Sequence, residues 1–285
     1  MRRLLRVVVL LVALGACDEG TVRGGPDSTS SWPDHGAPAD LPRSDGPVGD
    51  ASPADAGPVD VGPAPDEATT CQPIPGSSYD KLAVSQPCGC DPAKHGDMNL
   101  LLRSWQPVTL TKGLVSVNGP TDASAPQLYT LFGDERVPGF PAVYQVQQWD
   151  WGCNCPKGYI TSPEVTLAGM STTPGEVIHT PLSGYDIGAG HTAILIHAGG
   201  GTLTLKYTAE DNVVSGYTIH LDGVCVEPAL KALYDQCHAA GRAELPALKS
   251  KQALGRALGA AIRVAVRDTG SWMDPRSKKD WWQGK

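Results

Sequence analysis

The first hydrophobic feature of the chain is an unbroken apolar run over residues 7–14, preceded by Arg2, Arg3 and Arg6 and followed by small residues. This is the layout of a secretory signal, and the run is too short to span a bilayer. Periodicity then vanishes: over residues 18–70 large apolar side chains are sparse, and Asp recurs at 40, 45, 50, 55 and 60 with prolines between. Such a stretch cannot bury enough surface to offset the entropy of ordering, so it is predicted to be an extended, disordered linker. Alternation returns at residue 71. Residues 108–117, 128–132, 143–148 and 165–167 read as strands between Pro and Gly clusters, and residues 193–198, 202–207, 217–221 and 262–268 as short β-branched strands. Gly199, Gly200 and Gly201 turn the first of the latter group into the second. One helix interrupts them: Pro228 suits a first helical position, Leu230, Leu233, Tyr234 and Cys237 share a face, and Gly241 ends it. Residues 251–260 fit either a shorter helix or a strand and loop, and periodicity does not decide.

Four units follow: a signal over 1–17, a linker over 18–70, a β-rich cysteine-containing region over 71–180 and a β domain with one inserted helix over 181–285. The apolar run closes with Leu14, Gly15, Ala16 and Cys17, which resembles the lipobox of bacterial lipoproteins. The resemblance implies an acylated Cys17 (palmitate among the acyl chains), a membrane anchor made of lipid alone, and a folded part outside the cytoplasm, in the cell envelope.

Charge changes the choice of partner. Nine Asp and two Glu against Arg23 and Arg43 make the linker strongly acidic, and the chain total of −7 then leaves residues 71–285 close to neutral. A neutral fold argues against nucleic acid or an anionic membrane surface as the main ligand. Seven cysteines lie in it: Cys71, Cys88, Cys90, Cys153, Cys155, Cys225 and Cys237. In an oxidising compartment they are disulfide candidates with at least one left over, and Cys225 to Cys237 has the spacing of a local staple. The two Cys-x-Cys pairs could instead form a four-thiolate zinc site, although their spacing is shorter than in zinc ribbons. Trp105, Trp149 and Trp151 would serve as sugar-stacking platforms where exposed, and as core or rim where buried.

In the last hundred residues, Gly184-Tyr185-Asp186-Ile187-Gly188, the hairpin through Gly199 and Leu205, Gly216-Tyr217-Thr218-Ile219-His220, Lys251-Gln252-Ala253-Leu254-Gly255, and Val264-Ala265-Val266-Arg267 with Met273-Asp274-Pro275 together resemble the lysostaphin-like (LytM-type) zinc endopeptidases of bacterial cell walls. The likeness covers about residues 181–276 and implies an antiparallel, barrel-like sandwich. It also implies a zinc ion held by a His four residues before Asp186, by Asp186 itself and by the second His of a late H-x-H whose first His is the general base. Here those positions are Leu182, Ala261 and Arg263, so Asp186 alone remains and no catalytic residue is assigned. A groove near Asp186, His220 and Arg263 is the expected remnant. The alternative, an active zinc endopeptidase, needs substitute ligands from His179, Asp186, His191, His197 and His220. His191 and His197, six apart, would share a face of one strand at a separation of roughly 20 Å. A triad of Ser183, His220 and Asp222 can be drawn, but no nucleophile-elbow motif accompanies it. The Arg- and Trp-rich end, from Arg267 to Trp282, reads as a binding rim or as a strap anchored by buried indoles.

The sequence therefore points to an envelope lipoprotein with a non-catalytic, peptidase-like domain and no cofactor, binding peptidoglycan or an envelope protein. The alternatives are the active zinc enzyme and a structural or assembly lipoprotein.

Overall fold

A computed structural model describes residues 71–285; the signal, Cys17 and the linker over 18–70 lie outside the described residues. In chain order the strands are β1 (Asp80–Ala83), β2 (Trp105–Val108), β3 (Val143–Asp150), β4 (Cys155–Tyr159), β5 (Leu167–Ser171), β6 (Val177–His179), β7 (Ala193–Gly199), β8 (Thr202–Lys206), β9 (Tyr217–Asp222), β10 (Val224–Val226), β11 (Glu244–Leu248), β12 (Ala253–Ala257), β13 (Ala261–Asp268) and β14 (Ser271–Met273). Two α-helices accompany them, α1 (Pro228–Ala239) and α2 (Lys278–Trp281). The fold is mainly β and antiparallel. One sheet runs β1-β11-β7-β8-β9-β13-β5-β3-β2, with β14 beside β13 and β4 beside β3, and a second runs β10-β12-β6.

Alternation along the central strands explains the layering. Leu203 and Leu205 of β8, Ile219 and Leu221 of β9 and Val264 and Val266 of β13 point to one side, where they meet Ile178, Val226 and Leu254 of the small sheet. The result is a sandwich with its main core between the sheets. The barrel expected from the sequence is not closed, because β1 and β2 remain as separate edges of the large sheet. Pro107 is tolerated in β2 because an edge strand has one side free of ladder bonds.

Helix α1 forms as predicted. Pro228 occupies its first turn, the Glu227 carboxylate accepts the Leu230 N–H at 3.0 Å, and Leu230, Tyr234 and Cys237 are buried. Gly241 ends it at φ +86°, a left-handed conformation open to glycine at no steric cost. Residues 251–260 resolve into strand β12 with loops.

Two predicted strands are absent. Residues 128–131 form a 3-10 turn whose Leu128 and Leu131 enter the main core together with Phe132, a one-sided burial that a strand's alternation could not give. After Val108 the chain leaves the sheet, and Val115 pairs with the chain end instead, its N–H donating to Arg276 O at 3.0 Å. That end is a strap: Trp281 and Trp282 are buried, and their indole N–H groups donate to Asp274 O and Pro275 O, each at 2.9 Å.

Residue 180 is not a boundary in this fold. β5, from the first predicted region, pairs with β13 from the second (Arg263↔Gly169, Val264↔Ala168), so both segments build one sheet and one core.

The cysteines pair differently from the expected staple. Cys225 joins Cys71 across a sequence separation of 154, and Cys237 is a buried free thiol whose pKa burial raises. Spacing favoured the local partner, but Cys237 sits on α1 facing the sheet while Cys225 lies in β10 of the small sheet. Cys88–Cys90 and Cys153–Cys155 are each closed as a disulfide, so the four thiolates of a zinc site are not available together. In a chain-entropy account the long link contributes about 5 kcal/mol and each Cys-x-Cys ring only ~1.5 kcal/mol.

Candidate functional site

The groove expected from Asp186, His220 and Arg263 does not form. The ladder pairs Ile194 with Lys206, Lys206 with Thr218 and Thr218 with Arg267, so the start of β7, which Asp186 precedes, is level with the far end of β13. Arg263 is level with Asp222, Thr202 and Gly199 at the other end. Three strand spacings, about 14 Å, lie between β7 and β13 as well. Asp186 is an exposed turn residue whose Oδ1 accepts the N–H groups of Gly188 (2.8 Å) and Gly190 (3.2 Å). Leu182 bridges to Gln127, Ala261 faces Ser171, and Arg263 pairs with Asp222 while its guanidinium lies 5.1 Å from the Trp105 ring centre.

The histidines are equally dispersed. His179 Nδ1 lies 3.3 Å from Leu131 O; His191 bonds Gly188 O and the Asp80 carboxylate, both at 3.0 Å; His197 Nε2 lies 3.3 Å from Thr202 Oγ1. A bulge between Leu195 and His197 turns His197 to the face of Thr204, which breaks the simple count from His191. Among the described residues no three His, Cys, Asp or Glu side chains gather as a metal site. The Ser183 hydroxyl donates to Ser124 O, remote from His220 and Asp222, so the triad does not assemble either.

The second face of the large sheet is instead a polar layer. Thr202, Thr204 and Lys206 of β8, Thr218, His220 and Asp222 of β9 and Arg267 of β13 all point there and are buried. Segment 88–103 reaches part of this layer, with Met98 O on Thr204 and Asp97 on Arg267. Thr204 donates to Met98 O at 2.6 Å, so its oxygen accepts from His220 Nδ1 at 3.0 Å, which assigns the proton to Nδ1 and leaves Nε2 without a partner among the described residues. Burial holds His197 down to about 4 and His220 well below its ordinary value, and it pulls Lys206 down to about 8.

The imidazoles set an acid response. Below about pH 6.5 the unfolded chain protonates both rings, whereas the native state keeps them neutral to about pH 4 and lower. The unfolded state then holds more protons, so stability falls as pH falls through this window, by up to ~1.4 kcal/mol per pH unit for each ring. Denaturation midpoints measured from pH 7 to 4.5 should show that slope, and a His197→Gln/His220→Gln chain should flatten it.

From His220 a run of rings and guanidiniums leads to the surface. Trp272 stacks on His220 at 5.8 Å and lies under Arg267 (5.0 Å) and Arg103 (5.3 Å); Arg103 in turn lies 5.9 Å from Trp149, which meets Trp151 edge to face at 6.3 Å. Gly96 makes this packing possible, because a Cβ there would sit 2.3 Å from the Trp149 ring. Asp97 ties the run together: its Oδ1 accepts from Arg103 and from Arg267, each at 2.6 Å. Burial works against its ionisation, but the two guanidiniums outweigh this and hold its carboxyl below the usual range.

The run ends in a cleft of about 410 Å³ whose lining includes His95, Asp97, Met98, Trp151, Asn212 and Val214. Trp151 is 55% exposed and rests on His95 at 5.0 Å. His95 Nδ1 accepts the Asp97 N–H at 3.2 Å, and burial lowers its pKa, so Nε2 carries the proton of the neutral ring and has no hydrogen-bond partner among the described residues. The second Asp97 oxygen accepts no hydrogen bond among the described residues. An exposed indole, an imidazole and a carboxylate residue thus line one concave surface.

Sequence reading named Trp149 and Trp151 without saying which is exposed, and it missed His95, Asp97 and Arg103. The only signal for these was the density of polar residues among apolar ones in segment 95–103. The chain was compared with protein-family models, with curated proteins and with solved structures, and none matches.

Proposed function

We propose that this protein is an exported, lipid-anchored envelope protein whose folded part is a non-catalytic module binding the glycan of peptidoglycan in the Trp151 cleft. The exposed Trp151 carries the reading. An indole face matches the apolar face of a pyranose, while His95 and Asp97, which line the same cleft, offer polar partners for sugar hydroxyls. The side chains suited to hydrolysis support a binding role, since Asp186, His220, Arg263 and the remaining histidines are dispersed and engaged elsewhere. Attachment would rest on Cys17, which ends the lipobox-like run Leu14-Gly15-Ala16-Cys17, with the acidic linker setting the reach. The resemblance to lysostaphin-like endopeptidases enters only as a source for the cell-wall ligand.

Sedimentation of the purified chain with peptidoglycan sacculi tests this. Trp151→Ala should weaken binding at least ~10-fold, as loss of one desolvated aromatic anchor does, with the melting curve unchanged. Equal binding by both proteins would exclude the cleft, and no binding by either would exclude the glycan.

A further inference from the structure

The three disulfides among the described residues do different work. Cys71–Cys225 closes most of the described chain, whereas Cys88–Cys90 and Cys153–Cys155 each bridge a single residue. A ring that short removes little freedom from the unfolded chain, so the fold depends little on either. Both flank the Trp151 cleft: Cys88 lines it, and Trp151 stands two residues before Cys153. They differ in access. Cys90 Sγ lies 4.0 Å from Met98 Sδ, and the pair packs on the apolar cluster around Cys237. Cys153 is exposed at the tip of the β3–β4 hairpin.

That hairpin is held without its disulfide. Trp149 pairs with Pro156 and Gln148 with Lys157, the Asp150 carboxylate accepts the Gly152 N–H at 2.8 Å, and Trp149 Nε1–H donates to Asn154 Oδ1 at 3.2 Å. Opening the S–S bond therefore leaves two thiols facing each other on an ordered turn.

From this we infer that Cys153–Cys155 is a thiol–disulfide exchange site that takes two electrons from a dithiol carried by an exported protein. A thiolate of the dithiol attacks the exposed Cys153 Sγ; the S–S bond breaks, a mixed disulfide forms, and Cys155 leaves as a thiolate that takes a proton from water. The second thiolate of the dithiol then displaces Cys153, which is protonated in turn. The dithiol ends as a disulfide, oxidised by two electrons, and the pair ends as two thiols. Exchange in the reverse direction with a disulfide-bearing protein restores it. This chemistry is independent of whether the cleft binds glycan.

The test is to equilibrate the full-length chain in graded glutathione buffers, alkylate, and read each pair by peptide mass, with near-ultraviolet circular dichroism on the same samples. Cys153–Cys155 should open in a milder glutathione buffer than Cys71–Cys225, because Cys153 is exposed and the hairpin holds without the bond, with the dichroism unchanged. The chain should also oxidise one equivalent of a reduced two-cysteine peptide. That activity should persist in the Cys88→Ser/Cys90→Ser chain and vanish in the Cys153→Ser/Cys155→Ser chain. Reduction of Cys153–Cys155 only as the fold melts, no peptide oxidation, or oxidation that survives loss of this pair would each overturn the inference.

Discussion

Cys71→Ser is expected to lower the stability of the folded part by about 5 kcal/mol, the largest effect of any single substitution considered. The link it removes joins the start of the described chain to β10, across a separation of 154 residues. Without it the unfolded chain regains the freedom of that whole loop, while the native ladder loses no hydrogen bond. For a domain of this size the melting temperature should drop by roughly 10–20 °C. Cys225→Ser should match it, and the double variant should add little, because both remove one bond. Opening either Cys-x-Cys ring should cost about a third of this. A thermal melt under oxidising conditions decides the matter, and a Cys71→Ser chain melting within about 3 °C of the native one would refute the loop-closure account.

Arg242→Met should cost about 3–5 kcal/mol, because it strands a buried carboxylate. Arg242 is 2% exposed and Asp211 1%, and they meet as a fork: Nε to Oδ2 and Nη2 to Oδ1, each at 2.6 Å. The same guanidinium donates to Ile196 O at 2.7 Å and to the Tyr234 hydroxyl at 3.2 Å, while Asp211 Oδ2 accepts the Cys88 N–H at 2.9 Å. One pair thus joins the end of α1, strand β7 and the Cys88 loop beside the cleft. Asp211→Leu combined with Arg242→Met should recover part of the loss, since no charge is then buried alone, although the Cys88 N–H and Ile196 O each lose a partner. A double-mutant cycle in urea measures this. Equal losses in the single and double variants would show that packing, not charge, sets the cost.

Several elements were legible because their causes are local. The strands near 193–198, 202–207, 217–221 and 262–268 follow from alternating β-branched residues, and α1 from a proline, a 3.6-residue stripe and a glycine. Residues 128–132 misled because a buried apolar run has no visible period, and only the core beside it selects the 3-10 turn. Asp186 misled for a different reason. A motif spacing places it near β13 only if intervening strands cross in a particular order, and the β7-β8-β9-β13 order puts it at the opposite end.

By itself the sequence determined the β class of the fold, its helix and the near-neutral charge of residues 71–285, all properties of residues and their near neighbours. Tertiary structure alone decided the partner of Cys225, the single sheet spanning residue 180, and the meeting of His95, Asp97 and Trp151. Those contacts join positions tens to more than a hundred residues apart, and what selects them is strand register and shared burial, which no local pattern encodes.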